Sequence, residues 1–264
     1  MLPSTHLTFD SRVRLNNDVL MPVLGFGTWR LQGHQARTAV ETALRTGYRL
    51  IDTASAYSNE VEVGEAVRSS VVPREELFIT SKLWSHEHGR DEAKEACRGS
   101  LERLGLDHLD LYLIHWPAGG KNLETWQALI ELLREGRTRA IGVSNFSMEG
   151  IAPLVTATDV VPSVDQVEFN PYRHDERLLA ECAKAGILVE AYSPLNGVDL
   201  GDPALKRIAA SHRRSAAQVV LRWCVQKGTV ALTRSSRPEH IMENSRIFDF
   251  ELTPDEMEEM DRLG

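Results

Sequence analysis

Apolar positions recur along the chain in a fixed order: a stretch with helical spacing, then a glycine, then a short apolar run. In the first copy, apolar residues at helical spacing over 36–44 are followed by Gly47 and by the run Tyr48–Asp52. Glycine suits the residue just past a helix, because that residue often takes a positive φ that costs other residues energy. The order predicts a helix followed by a strand, and four further copies predict strands over Leu109–Ile114, Arg139–Ser144, Ile187–Tyr192 and Thr229–Leu232.

Three more apolar runs complete the set of predicted strands. Val23–Gly27 comes first, and Leu77–Lys82 and Ser163–Glu168 follow prolines that end helical patterns. Strands that alternate with helices predict a parallel sheet, because parallel neighbours need a crossover connection. Eight such strands in 264 residues match a (β/α)8 barrel, which takes roughly 250 residues. We therefore predict a single α/β domain over residues 1–264, a (β/α)8 TIM barrel.

Two further elements are predicted at the ends of this barrel. The segment Arg12–Met21 has the pattern of a β-hairpin that turns at residues 16–18. Near the C-terminus, Thr253-Pro254-Asp255-Glu256 predicts a helix start, with a capping threonine, proline at the first position and glutamate three residues after the cap. The alternative of an open doubly wound sheet is disfavoured. Gly25-Phe26-Gly27 lacks the third glycine and the immediate helix of its dinucleotide site.

Composition and charge exclude several classes of protein. Hydrophobic residues make up 42% and charged residues 26%, which is typical of a globular domain. The net charge of −8 argues against a general nucleic-acid or membrane-surface binder. The widely spaced cysteines Cys97, Cys182 and Cys224 indicate reduced, buried thiols. No apolar run approaches the ~18–20 residues of a membrane span and no signal-peptide pattern is evident, so we expect a cytoplasmic protein. No stripe of residues that would indicate a subunit interface is evident either, so we expect a monomer.

Polar and aromatic side chains mark the ends of the predicted strands. In a β/α barrel the loops at the carboxyl ends of the strands form the active site. Taken singly, each such residue has an ordinary structural explanation, such as a turn cap, a lysine that reaches water or a packed histidine. Their convergence at one end of one barrel indicates a site, and the residues are Asp52, Tyr57, Lys82, His115-Trp116-Pro117, Ser144-Asn145, Gln166, Tyr192-Ser193 and Arg234-Ser235-Ser236.

Four of these residues suit carbonyl reduction, in which carbon receives a hydride and oxygen a proton. Tyrosine has a reference pKa of ~10, and an ammonium group such as that of Lys82 would lower the pKa of Tyr57 and make it a better acid. A carboxylate at Asp52 would keep the ammonium charged and in place. The imidazole of His115 could polarise the substrate oxygen.

Six motifs resemble those of the aldo-keto reductases, and the resemblance covers nearly the whole chain. They are Leu24–Trp29, Asp52–Glu60, Thr80–Trp84, Asp110–Pro117, Ile141–Phe146 and Ala191–Leu195. The resemblance implies an NADPH-dependent reductase with a catalytic tetrad of Asp52, Tyr57, Lys82 and His115, in which Tyr57 is the acid in reduction and the base in oxidation. The chain looks most like the short prokaryotic members, including those similar to 2,5-diketogluconate reductase.

The resemblance also implies the cofactor contacts. Ser144, Asn145 and Gln166 would bind the nicotinamide carboxamide, and Tyr192 would stack on the ring. Thr28 and Trp29 would lie where cofactor and substrate meet, and Asp52 is also expected to contact the cofactor. The pyrophosphate and adenosine half would contact Ser193, Pro194, Leu195, Arg234, Ser235, Ser236, His240, Glu243 and Asn244.

Two departures from the family pattern occur, one in the segment after the last strand, which affects cofactor choice, and one next to Gln166. NADPH-preferring members usually have Lys-Ser after the last strand and an arginine a few residues later, whereas this chain has Arg234-Ser235-Ser236 and then His240. Arg234 can bind a 2′-phosphate through charge-assisted hydrogen bonds, but neutral His240 supplies less charge than arginine. We expect NADPH as the cofactor, with NADH possible. Asp165 also replaces a commoner asparagine.

The substrate is expected to be a small-molecule carbonyl compound. Its contacts would be Trp29, Tyr57, Trp84, His115 and Trp116, of which the tryptophans can form an aromatic wall. The loops after the fourth and seventh strands and the C-terminal tail are short for the family. This predicts an open pocket that accepts aldehydes, ketones, dicarbonyls and keto sugars.

Two other functions remain open at this point. One is a Schiff-base aldolase with Lys82 as the nucleophile, and this needs a lysine whose pKa is lowered by apolar burial. The other is a redox-sensing module that binds NADPH with little turnover. A metal site is not expected, because His86-Glu87-His88 lacks a third ligand in sequence.

Overall fold

The computed structural model describes residues 7–264, in which eight parallel strands close into a barrel. A separate antiparallel pair, β1 and β2, precedes it. The strands are β1 (Arg12–Arg14), β2 (Leu20–Pro22), β3 (Leu24–Gly27), β4 (Leu50–Asp52), β5 (Phe78–Leu83), β6 (Leu109–Ile114), β7 (Thr138–Ser144), β8 (Val164–Glu168), β9 (Leu188–Tyr192) and β10 (Val230–Thr233). Each barrel strand pairs with the next in sequence, and β10 pairs with β3 to close the ring. The predicted (β/α)8 barrel and the predicted N-terminal hairpin are confirmed.

Helices connect the strands and cover the outside of the barrel. They are α1 (Gly33–Thr46), α2 (Glu60–Arg68), α3 (Arg90–Leu104), α4 (Asn122–Arg134), α5 (Met148–Thr158), α6 (Glu176–Ala185), α7 (Pro203–His212), α8 (Ala216–Gln226), α9 (Pro238–Ser245) and α10 (Pro254–Asp261). The glycine rule holds at α1, because Gly47 has φ 113° and its N–H binds the carbonyls of Ala43 and Leu44. At α10 the predicted capping box of Thr253 and Glu256 is present. The periodicity did not predict α7.

The barrel interior has an apolar layer at the amino ends of its strands. Leu50, Phe78, Leu111 and Val164 pack there with Met21 of the hairpin. The hairpin therefore covers this end of the barrel and leaves the carboxyl ends as the open mouth. The single domain over 1–264 stays a prediction, because residues 1–6 lie outside the described part of the chain.

Two expectations from composition can be compared with residues 7–264. The three cysteines are free and buried, as expected from their spacing. Among the described helices, none combines the length and the apolar character that a membrane span requires.

Candidate active site

Three of the four proposed catalytic side chains form one hydrogen-bonded series at the mouth. Lys82 lies inside the barrel near the end of β5, and its Nζ is 2.6 Å from Oδ1 of Asp52 at the end of β4. The same Nζ lies 3.2 Å from the hydroxyl of Tyr57, in the short 3-10 turn that follows β4. His115, just after β6, completes the group, with its ring centroid 5.5 Å from that of Tyr57. The loops thus bring the four predicted residues together.

Lys82 is held as a charged ammonium group. Its side chain is fully buried, and its three N–H groups donate to Asp52, to the carbonyl of Thr53 and to Tyr57. Burial alone would lower the pKa of Lys82, but the Asp52 carboxylate and Tyr57 outweigh burial and raise it above its ordinary value. A charged lysine with every hydrogen committed is not a nucleophile, and this geometry argues against an aldolase.

Tyr57 differs from the expectation drawn from the sequence. Burial raises the pKa of Tyr57 above its ordinary value, and the positive charge of Lys82 offsets only part of this effect. The surrounding loops enclose the phenol, and no sequence pattern shows this enclosure, whereas the ammonium group is visible from the sequence. Tyr57 is therefore a protonated phenol at neutral pH, hydrogen-bonded to the cation that would stabilise its phenolate.

His115 is a neutral imidazole. Burial, with a further contribution from the charge of Lys82, lowers the pKa of His115 to about 3. Its Nδ1 is buried and has no hydrogen-bond partner among residues 7–264, so Nε2 is the ring nitrogen left to serve a ligand. The His115 ring forms a T-shaped pair with Trp84, with 4.9 Å between the ring centroids. A neutral N–H donor beside the phenol is the arrangement that polarises a carbonyl oxygen.

The residues proposed for the nicotinamide lie together on the neighbouring strand ends. Ser144 Oγ donates to the carbonyl of Gln166 at 2.7 Å. Asn145 accepts from the Tyr192 hydroxyl at 2.9 Å and donates to the carbonyl of His115 at 3.1 Å. These bonds connect β7, β8 and β9 to the loop of His115 and hold this polar wall in place.

Two turns at this wall have strained backbones. Asn145 has φ 62° and Ser193 has φ 53°, values that residues other than glycine rarely adopt. Asn145 directly follows β7 and Ser193 directly follows β9, and both strands end at the mouth. Such strain, of the order of 1–3 kcal/mol per residue, is characteristic of binding and catalytic sites.

The segment after β10 carries the residues proposed for the adenosine half. Arg234 and Ser236 are exposed, and α9 presents His240 at its exposed face, whereas Asn244 is buried. Partial burial and then the nearby guanidinium of Arg30 lower the pKa of Arg234. Sequence reasoning missed Arg30, which also lies over the Trp29 ring at 4.2 Å. Two neighbouring cations at a barrel mouth attract anions.

Aromatic side chains frame the opening. Trp29 and Trp116 are each 41% exposed, and Trp84 is half-buried. Thr28, in contrast, is fully buried and its hydroxyl donates to the carbonyl of Asp52 at 2.9 Å. Thr28 thus supports the loop, and the three tryptophans are the side chains that offer apolar surface.

The sequence triplet considered as a metal motif braces the loops instead. Glu87 accepts from Ser55 Oγ at 2.7 Å and from the amide of Trp84 at 2.6 Å. His88 Nε2 lies 3.0 Å from the carbonyl of Trp116. These contacts link the loops of Tyr57, Trp84 and Trp116. They hold the side chains of Glu87 and His88 to different partners.

A second buried carboxylate near the tetrad was also missed. Glu190 on β9 is fully buried, and Gln166 Nε2 donates to its Oε2 at 2.7 Å and to Asp52 Oδ2 at 2.9 Å. The available signal was the alternation of β9, in which Leu188, Glu190 and Tyr192 face inward. A charged residue at an inward strand position is unusual, because buried charges need partners.

The fold and this site define an oxidoreductase of a known family. The model of the aldo/keto reductase family matches residues 23–264, so the chain belongs to that family. It is 46% identical over 254 residues to the glyoxal reductase of Bacillus subtilis, which covers 96% of this chain and 92% of the relative. It is 43% identical over 267 residues to the morphine 6-dehydrogenase of Pseudomonas putida, with 95% and 90% covered. The crystal structure of a Bombyx mori aldo-keto reductase in complex with NADP superposes with a TM-score of 0.89 at 36% identity and covers 96% of this chain and 92% of that one.

Proposed function

We propose that this chain reduces the carbonyl group of small molecules to an alcohol, with NADPH as the hydride donor and Tyr57 as the proton donor. The observation that carries this proposal is the hydrogen-bonded series Asp52–Lys82–Tyr57 beside a neutral His115. The oxidoreductase names of the two relatives and the NADP bound to the Bombyx mori structure support it.

The residues at the mouth fit a nicotinamide dinucleotide phosphate. The amide oxygen of Gln166 accepts no hydrogen bond from residues 7–264 and is free for a carboxamide. The amide nitrogen donates to Asp52 and Glu190. Arg30 and Arg234 would hold phosphate groups, since a guanidinium binds phosphate through two parallel hydrogen bonds. The bound nicotinamide supplies the hydride.

The chain's own groups then handle the proton and the developing charge. His115 donates a hydrogen bond to the substrate oxygen, and Tyr57 gives that oxygen a proton. The ammonium of Lys82 stabilises the resulting phenolate, and Asp52 keeps the ammonium in place. Because burial raises the pKa of Tyr57, reduction is favoured at neutral pH, and oxidation of an alcohol, which needs the phenolate, is favoured at alkaline pH.

The tryptophans at the mouth suggest the substrate class. Trp29, Trp84 and Trp116 offer flat apolar surface around the tetrad, which suits aldehydes, ketones and dicarbonyls with an apolar or planar body. The two relatives are named for morphine and glyoxal, compounds of very different size, and we propose broad acceptance for this chain.

Replacement of Tyr57 by phenylalanine tests the central role. We expect Tyr57→Phe to lower kcat/KM by roughly 10²–10⁴, while NADPH affinity, measured by fluorescence titration, changes less than about twofold. The assay is the loss of reduced-nicotinamide absorbance with NADPH and with NADH, against a panel of aldehydes and ketones.

Tyr112→Phe is the matched control. Tyr112 is fully buried on β6, and its hydroxyl has no hydrogen-bond partner in the described part of the chain. This variant should therefore keep full activity. Equal activity of Tyr57→Phe and wild type would refute the proton-donor role. Tight NADPH binding by the wild type without turnover on any carbonyl would favour the redox-sensing module instead.

A further inference from the structure

Glu190 occupies an inward position of β9 directly beneath the proposed nicotinamide wall. Its neighbours in sequence, Val189 and Ala191, pack outward among the helices, whereas Leu188 packs inside the barrel. The carboxyl group therefore lies inside the barrel, fully buried. Neither the tetrad chemistry nor the proposed cofactor contacts use it.

The contacts of Gln166 connect Glu190 to the tetrad. A primary amide nitrogen carries two hydrogens, and those of Gln166 are directed to Asp52 Oδ2 and to Glu190 Oε2. Asp52 binds Lys82 through its other oxygen, and an ionised carboxylate can only accept hydrogen bonds. The nitrogen of Gln166 must therefore face Asp52. Its second hydrogen is accepted by Oε2 of Glu190, so the amide oxygen points away from both acids.

We propose that Glu190 is a positioning residue that, together with Asp52, holds the Gln166 carboxamide with its oxygen presented to the amide group of the nicotinamide. This inference rests on the proposed function for the place of the cofactor. Asp52 alone fixes one hydrogen of the amide. Glu190 takes the second and so prevents the rotation that would bring the nitrogen to the mouth.

The surroundings of Glu190 explain how a second acid is tolerated there. Burial and then the charge of Asp52 raise the pKa of Glu190 to about 8, although the hydrogen bond from Gln166 and the charge of Lys82 oppose this. The raised pKa favours the neutral acid, which still accepts through Oε2. The pair of Asp52 and Lys82 thus keeps its charge balance, and Gln166 keeps both partners.

The test compares two oxidised cofactors that differ in one donor. NADP⁺ carries a carboxamide N–H₂, and its 3-acetylpyridine analogue carries a methyl group at that place and cannot donate to Gln166. Affinities are measured without substrate, by calorimetry or tryptophan quenching, for the wild type, Glu190→Gln and Glu190→Leu. Thermal unfolding of each cofactor-free variant is measured in parallel.

We expect Glu190→Leu to weaken NADP⁺ binding about tenfold, the size of a hydrogen bond's contribution, and to leave binding of the analogue unchanged. Glu190→Gln should bind both cofactors like the wild type, because its amide oxygen can still accept from Gln166. A loss of affinity that affects only NADP⁺ and is rescued by glutamine is not expected of a merely structural residue. If Glu190→Leu does not fold, Glu190→Met, which is unbranched and similar in length, takes its place.

Equal weakening of both cofactors, or unchanged binding of both, would overturn this role of Glu190. A wild-type chain that binds neither nucleotide would overturn the proposed function and this role with it. A wild type that binds NADP⁺ and reduces carbonyls, with no selective loss in Glu190→Leu, would overturn the role of Glu190 alone.

Discussion

The two ends of the barrel are built from the same strands and differ in what those strands turn inward. On β5, Phe78 faces the barrel interior at the closed end, and four residues later Lys82 faces it at the mouth. On β4 the same change occurs between Leu50 and Asp52. The closed end is sealed by the hairpin through Met21, whereas the mouth is bounded by loops. Two to four residues along a strand thus separate packing from chemistry.

The difference shows what each end requires of its side chains. At the closed end, any well-packed apolar set of the right volume is stable. At the mouth, buried charges persist only because each has a partner, as Lys82 has in Asp52 and Tyr57. Substitutions at the closed end should therefore change stability and leave chemistry intact, and those at the mouth should do the reverse.

The largest effect is expected for Phe78→Ala at the closed end. Phe78 is 1% exposed, and removal of a buried phenyl ring costs about 3–5 kcal/mol of the free energy of unfolding. Denaturant unfolding measures the loss. The folded fraction should keep its kcat, because the tetrad does not contact this ring.

Val71→Ala is the control for this variant. Val71 is a large apolar residue that is 98% exposed, so its truncation should leave stability within about 0.5 kcal/mol. A fall in kcat for fully folded Phe78→Ala would show that the two ends are coupled, so that packing at the closed end also affects chemistry at the mouth.

A second prediction concerns a buried acid that lacks the partners found at the mouth. Asp165 lies on β8 directly before Gln166 and is fully buried, and neither of its oxygens has a hydrogen bond of good geometry among the described residues. Burial raises the pKa of Asp165 to about 8, although the nearby amide of Phe146 opposes this effect. An acid whose pKa is higher in the folded state holds its proton there while the unfolded chain has lost it. Its contribution to stability is therefore greatest below about pH 4 and declines as the pH rises to about 8.

Asp165→Asn removes this dependence, because asparagine has the same shape and does not ionise. We expect the variant to be more stable than the wild type by about 2 kcal/mol at pH 8 and to show a smaller decline of stability between pH 4 and pH 8, with a residual dependence from Glu190. Thermal unfolding at several pH values measures both. Exposed Asp107→Asn is the control and should change neither. An unchanged pH dependence in Asp165→Asn would mean that Asp165 is solvated or paired.

The fold could be predicted from the sequence because its signals are local. Apolar spacing and the glycine at 47 depend on neighbours within a few residues, and the predicted strand over Leu109–Ile114 matches β6 at both ends. Boundaries moved where no such signal exists. For example, β4 begins at Leu50 and not at Tyr48, because pairing with the adjacent strand decides where a strand starts.

The tetrad residues of the site could be predicted from the sequence, but the proximity of Arg30 to Arg234 and the pKa of Tyr57 could not. Motifs identified Asp52, Tyr57, Lys82 and His115 because each lies at a strand end or a few residues beyond it. The proximity of Arg30 to Arg234 depends on the closure of β3 against β10, which no local pattern reveals. The pKa of Tyr57 depends on how completely the loops enclose it, and this too is a property of the assembled barrel.

The smallest effect is expected at the outer rim of the mouth, where Arg234 is exposed and lies beyond the end of β10. An exposed cation can change the affinity for a phosphate without changing packing or the tetrad. We expect Arg234→Ala to weaken NADPH binding about tenfold, the size of one charge-assisted hydrogen bond, and to leave NADH binding within about twofold, because only NADPH carries the 2′-phosphate. Fluorescence titration with both cofactors measures this, and NADH is the internal control. Equal loss for both cofactors would assign Arg234 to the pyrophosphate that they share, and unchanged affinity for NADPH would leave Arg30 as the cation that binds its phosphates.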